Sequence, residues 1–95
     1  MKFEATVKIL NEVKEGVSQA SGNSYKYQSM ILETADGEGV ARVLVSLGTK
    51  QVDAMQSQDI QVGNRVVVDL TFTTYITRAN YVENRIYVNE IAKIG

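Results

Sequence analysis

Thr49-Lys50-Gln51-Val52-Asp53-Ala54-Met55-Gln56-Ser57 is followed by the turn Ile60-Gln61-Val62-Gly63-Asn64-Arg65 and then by Val66-Val67-Val68-Asp69-Leu70-Thr71-Phe72-Thr73. The first segment is the one part of the chain that reads as a helix. Val52 and Met55 share a face at i, i+3, and Thr49 stands where a capping hydroxyl belongs. At about residues 49–57 it is short, and it is expected to lie across one end of a barrel. The last segment has a different period. Val66, Val68, Leu70 and Phe72 alternate with Arg65, Asp69, Thr71 and Thr73, which is a half-buried strand with Phe72 in the inward set. Val67 is the one apolar residue of the outer set.

Three strands are read upstream of this helix. Phe3, Ala5, Val7 and Ile9 alternate with Lys2, Glu4, Thr6 and Lys8, and the phase then slips to Leu10 and Val13. A bulge or bend produces such a slip. Residues 15–24 are small and polar, with Gly22-Asn23 as a turn signal, and are expected to form a loop. The second strand runs from Tyr25 to Thr34. Asp36-Gly37-Glu38-Gly39 reads as a hairpin turn, and the β-branched third strand covers Val40 to Leu47. Downstream, a loop is expected over roughly 76–84 and a fifth strand from Arg85 to Ile94. Ile86 and Val88 share a phase from which Ile91 is shifted, implying another bulge. Three strands, a short helix and two strands give an all-β domain over residues 1–95, a five-stranded Greek-key barrel of OB type with the helix between strands three and four. An open sandwich or another small barrel fits the same order.

Composition narrows the chemistry. The 95 residues contain no histidine and no cysteine. Ser-His triads, Cys nucleophiles, disulfides and His- or thiolate-bound metals therefore disappear, and the chain is expected to be no enzyme and to need no cofactor or metal. Serine and threonine are plentiful, but no base stands ready to activate them. Asp36 and Glu38 are read as turn residues, since two acidic groups do not make a coordination shell. No apolar run approaches the roughly 20 residues of a membrane span, and Glu4 and Lys8 interrupt any leader-like core, so a cytoplasmic protein is expected. The net charge of −1 argues against a grip on nucleic acid made mainly by phosphate neutralisation, while leaving room for a local basic face.

Tyr25-Lys26-Tyr27-Gln28, Val62-Gly63-Asn64-Arg65-Val66-Val67-Val68 and Arg85-Ile86-Tyr87-Val88-Asn89-Glu90-Ile91 together resemble OB-fold single-stranded-DNA-binding proteins, particularly small ones of bacteria and their phages. The resemblance implies a ligand face on strands two and three, flanked by the loops joining strands one to two and four to five. Many bacterial members carry a flexible tail ending in acidic residues that recruit partners. This sequence stops at Ile94-Gly95, so recruitment by that route is not expected.

Strand parity supplies candidate residues. If Met30 and Leu32 point inward, Tyr25, Tyr27, Ser29 and Ile31 face out; if Val43, Val45 and Leu47 point inward, Arg42, Leu44 and Ser46 face out. Lys26 is close by, Tyr75 and Tyr81 bracket the second loop, and Arg78 and Arg85 belong to the same region. Unpaired bases stack on such rings while cations meet phosphates, with little sequence readout because every base has a π-face. The candidate nucleic-acid-binding set is therefore Tyr25, Lys26, Tyr27, Arg42, Tyr75, Arg78, Tyr81 and Arg85. Each also has a plain reading, since tyrosine is common in strands and Lys26 and Arg42 could be solvated charges. Tyr87 is given a structural role. An outer face bearing Ile31 and Leu44 equally describes a subunit contact. The expected function is non-catalytic single-stranded DNA binding in phage or bacterial replication or recombination, by a homo-oligomer. The alternative is a protein-interaction or structural module built on the same barrel. No small-molecule substrate is evident.

Overall fold

A computed structural model describes residues 2–36 and 39–94. The elements are β1 (Lys2–Leu10), β2 (Lys14–Val17), β3 (Ser24–Asp36), β4 (Gly39–Leu47), α1 (Thr49–Ser57), β5 (Arg65–Ile76) and β6 (Val82–Lys93). The sheet runs β1-β5-β6-β4-β3-β2, and a further β1–β3 pairing closes it into a barrel. All neighbours are antiparallel except β4 and β6, which meet in parallel at Ser46–Tyr87. The expected barrel of five strands is thus present, with its helix between the third and fourth.

Two expected loops are shorter than the sequence suggested. Lys14–Val17 of the first is a strand, paired with Ser24–Tyr27. The second shrinks to residues 77–81, because β6 begins at Val82 opposite Ile76. In both places a hairpin runs on beyond the barrel wall, where no apolar alternation marks it. The central residues of the expected turn at Asp36-Gly37-Glu38-Gly39 lie outside the described residues, although Asp36 and Gly39 pair across it. The projecting hairpins show in the dimensions: the radius of gyration is 14.5 Å, against about 12.4 Å for a compact chain of this length.

The core follows strand parity. Ala5 and Val7 of β1, Met30 and Leu32 of β3, Val45 and Leu47 of β4, Val66, Val68 and Leu70 of β5, and Val88 and Ile91 of β6 are buried together. Register carries this pattern from strand to strand, with Val7 opposite Leu32 and Met30 opposite Val45. Both anticipated irregularities occur. Between Val7 and Ile9 the β1–β3 register shifts by one residue, and Asn89 is the extra residue of β6 between the pairs Asp69–Glu90 and Leu70–Val88. The first shift has a consequence that alternation misses. It turns Ile9 out of the inward set, to sit opposite Ile31 on the outer face, and lets Leu10 re-enter opposite Met30. Phe72 also leaves the expected inward set and is 55% exposed. It has the right parity, but it lies where the β5–β6 hairpin has passed the end of the barrel.

Helix α1 seals one end with Val52, Met55 and the following Ile60. Its expected cap is different: Gly48 is the N-cap and makes no side-chain bond. The Thr49 hydroxyl instead accepts the Lys26 backbone N–H at 2.9 Å, tying the helix to β3. Gln51 Nε2 donates to the carbonyl of the bulge residue Asn89. Gln58 uses both ends of its amide on β6, donating to the Ile91 carbonyl and accepting from the Lys93 N–H. Gly63, at φ 93°, makes the turn into β5 and donates its N–H to the Val7 carbonyl. A side chain rarely adopts that conformation, so the turn depends on glycine. Buried Gln28 donates to the Asn11 carbonyl and holds the bend between β1 and β2. No described helix is long and apolar enough to cross a membrane.

Candidate nucleic-acid interface

The outer face of β3 and β4 is set by the same parity that builds the core. Tyr25 and Tyr27 are 49% and 42% exposed, and Arg42 and Leu44 stand out from β4. Across the strands, Ile9, Ile31 and Leu44 form one apolar row, with the Ser29–Ser46 pair beside it. Ser46 leads to Tyr87 on β6. The Tyr27 hydroxyl lies 3.4 Å from Ser46 Oγ, and the Tyr87 hydroxyl lies 3.0 Å from that of Tyr75. The Arg85 guanidinium sits over the Tyr75 ring, 5.7 Å from its centroid, at cation–π range. Tyrosines from β3, β5 and β6 therefore share one surface with Ser46 between them.

The barrel opens beside this surface. Ser46–Tyr87 is the only register pair between β4 and β6 among the described residues, and a gap lies between the residues that precede it on the two strands. The gap is a cleft of about 540 Å³, lined by Tyr27, Arg42, Leu44 and Ser46 on one side and Glu83, Asn84, Arg85 and Ile86 on the other. Its cations are held by neighbours. Arg42 Nε donates to Glu33 at 2.9 Å, and Arg85 Nε donates to Glu83 at 3.0 Å. These exposed pairs orient the guanidiniums at small energetic cost or gain. The hydrogen bond to Glu83 raises the Arg85 pKa further. The hydrogen bond between the Tyr75 and Tyr87 hydroxyls lowers the Tyr87 pKa below the ordinary tyrosine value, helped by Arg85, while the same bond raises that of Tyr75.

The candidate residues fall into separate groups. Tyr25 and Tyr27 lie on the β2–β3 hairpin, opposite Gly16 and Lys14. Arg42 and Arg85 line the cleft together with Tyr27, and Tyr75 lies under the Arg85 guanidinium. Arg78 and Tyr81 occupy the exposed β5–β6 turn, in which Tyr81 donates its N–H to the Thr77 hydroxyl. Val82, next to that turn, is five residues from Tyr87, about 17 Å along the strand. Lys26 is turned away from the tyrosines. Its parity is opposite to theirs, and its Nζ bonds Asp53 of α1 at 2.8 Å, a hydrogen bond that raises its pKa. Lys26 fastens the helix to β3 and does not border the cleft. Two participants escaped the sequence reading. Tyr87, assigned only a structural role, links Ser46 to Tyr75, and the shared phase of Ile86 and Val88 already placed it outside. Ile9 is missed because alternation places the slip after it, whereas the register shifts before it, between Val7 and Ile9.

No protein-family model matches the sequence, and no curated protein does. Solved structures do. The mitochondrial single-stranded DNA binding protein Rim1 of S. cerevisiae superposes with a TM-score of 0.64 at 13% identity, covering 99% of this chain and 95% of that one. A second crystal form of it gives 0.58 at 14% identity, with 98% and 92% covered. The Plasmodium falciparum SSB complex with ssDNA gives 0.53 at 12% identity, with 100% and 93% covered. The chain therefore has, over essentially its whole length, the OB-type barrel fold of these single-stranded-DNA-binding proteins.

Proposed function

We propose that this protein binds single-stranded DNA without catalysing a reaction on it and with little sequence preference. The observation that carries the reading is the cleft between β4 and β6, lined by exposed Tyr27 and by Arg42 and Arg85. Bases stack on Tyr25, Tyr27, Tyr75 and Tyr81, while Arg42, Arg78 and Arg85 meet phosphates; Lys26 acts from behind by holding β3 to α1. Each stack contributes about 1–3 kcal/mol, so two or three sustain binding by a chain whose net charge is slightly negative. The barrel fold shared with proteins that bind single-stranded DNA supports the same reading. A role in phage or bacterial replication or recombination, in the cytoplasm, is the setting we infer for it.

The test is fluorescence anisotropy with labelled oligo-dT and a labelled duplex at two salt concentrations. Preference for the single strand is expected. Equal binding to both, or none to either at low salt, refutes the reading.

The row Ile9, Ile31 and Leu44 favours a second role for part of this face, as a contact between copies of the chain. Ile31→Asp should then lower the mass seen by light scattering. If assembly is unchanged and oligo-dT binding falls, the row belongs to the DNA path instead.

A further inference from the structure

Gly16 lies directly opposite Tyr25 in the β2–β3 hairpin. A methyl group built on Gly16 would come within 2.5 Å of the Tyr25 hydroxyl, 2.6 Å of Cζ and 3.0 Å of Cε1. The phenol end of the ring therefore lies on the glycine backbone, in space that any side chain would fill. Gly16 is not in the left-handed region, so its conformation does not demand glycine. Glycine weakens a strand, and within one it often marks the close approach of another group. Here that group is the Tyr25 ring. A shallow cleft lined by Glu15, Gly16, Val17, Ser24, Tyr25 and Lys26 surrounds it.

We propose that Gly16 is a positioning residue: it supports one side of the Tyr25 ring, so that the ring is held down on the hairpin and its other side is offered to a planar base. This rests on the single-strand reading above and extends it to a residue with no side chain of its own. Holding the ring before the ligand arrives removes rotamer entropy that binding would otherwise cost.

Gly16→Ala, Tyr25→Ala and the double variant test it. In the DNA-free protein, ring NMR signals of Tyr25 should move in Gly16→Ala, because the ring must lift. With labelled oligo-dT, Tyr25→Ala should weaken binding about tenfold and Gly16→Ala about three- to tenfold. Gly16→Ala should add nothing in the Tyr25→Ala background. The melting temperature should hardly change, since the displaced atoms are the exposed end of a side chain that can rotate. Unmoved ring signals, or an equal loss from Gly16→Ala in both backgrounds, overturn the proposal. If the unaltered protein does not bind oligo-dT, the single-strand reading fails, and the ring signals alone then decide the positioning.

Discussion

Salt dependence distinguishes a stacking platform from an electrostatic grip, and the structure sets its size. The cations on or beside the proposed path are Lys14, opposite Tyr27; Arg42 and Arg85, at the cleft; and Arg78, at the hairpin turn. Arg42 and Arg85 are each bonded to a glutamate and must share their charge with it. The number of phosphates neutralised is thus about two to four. A single strand releases counterions so that log K falls against log salt with a slope of about −0.7 per phosphate, giving about −1.4 to −2.8 here. Between 50 and 200 mM salt the affinity should fall about 7- to 50-fold. Anisotropy titrations with a labelled oligo-dT across five salt concentrations measure this slope directly. Arg78→Ala should make it shallower by about 0.7. Tyr27→Ala should lower affinity by a similar factor at every salt concentration and leave the slope alone, because a stack releases no counterion. A slope steeper than about −5 would refute the reasoning, since the cations of this face could not produce it.

Other consequences follow from individual contacts. In a spectrophotometric titration of the tyrosines, one should ionise below the ordinary value near 10 and one above it, because the bond between the two hydroxyls raises the Tyr75 pKa and lowers that of Tyr87. Tyr75→Phe should raise the Tyr87 pKa. The stability terms have opposite signs: that of Tyr75, whose pKa is raised, is complete below about 10 and lost at higher pH, while that of Tyr87 appears only as pH rises through its lowered pKa. Leu32→Ala removes a fully buried side chain from the barrel centre and should cost about 2–5 kcal/mol in urea unfolding. Gln28→Leu leaves the Asn11 carbonyl without its partner and should cost about 1–3 kcal/mol in the same assay. Ile76, at 75% exposure, and Phe72 stand on the hairpin beyond the core, so Phe72→Ser and Ile76→Ser should each change stability by under about 0.5 kcal/mol. A loss above about 2 kcal/mol that grows on dilution would instead place that face in a contact between copies.

The acidic balance of the chain fits the way its surface is arranged. Arg42, Arg65, Arg85 and Lys26 each have a carboxylate within 3.0 Å. These four are among ten lysines and arginines, so part of the positive charge is already compensated before a duplex, whose faces of stacked bases are hidden, could meet it. A strand with unpaired bases offers the one surface that exposed tyrosines recognise without charge.

Local periodicity by itself determined the helix and the five barrel strands, though not β2. Val66, Val68 and Leu70 announced β5, Met30 and Leu32 announced β3, and Val52 with Met55 announced α1, because each element buries one face and the period of that face is written in the chain. The same parity placed Tyr25, Tyr27 and Arg42 outside. Breaks in parity signalled both bulges, but parity cannot express on which residue a shift falls or where a strand outlives its neighbours. The one-residue shift after Val7 put Ile9 beside Ile31, and the β5–β6 hairpin carried Phe72 past the core that its phase implied. Partner choice was equally invisible. Lys26 and Arg85 are both cations near tyrosines in the sequence, yet Asp53 of the helix holds one behind the sheet while Glu83 and Tyr75 hold the other at the cleft. Glu83 is only two residues from Arg85 on the same strand, but Lys26–Asp53 and Arg85–Tyr75 join different elements, so the closed barrel settled which of these charges and rings share a surface.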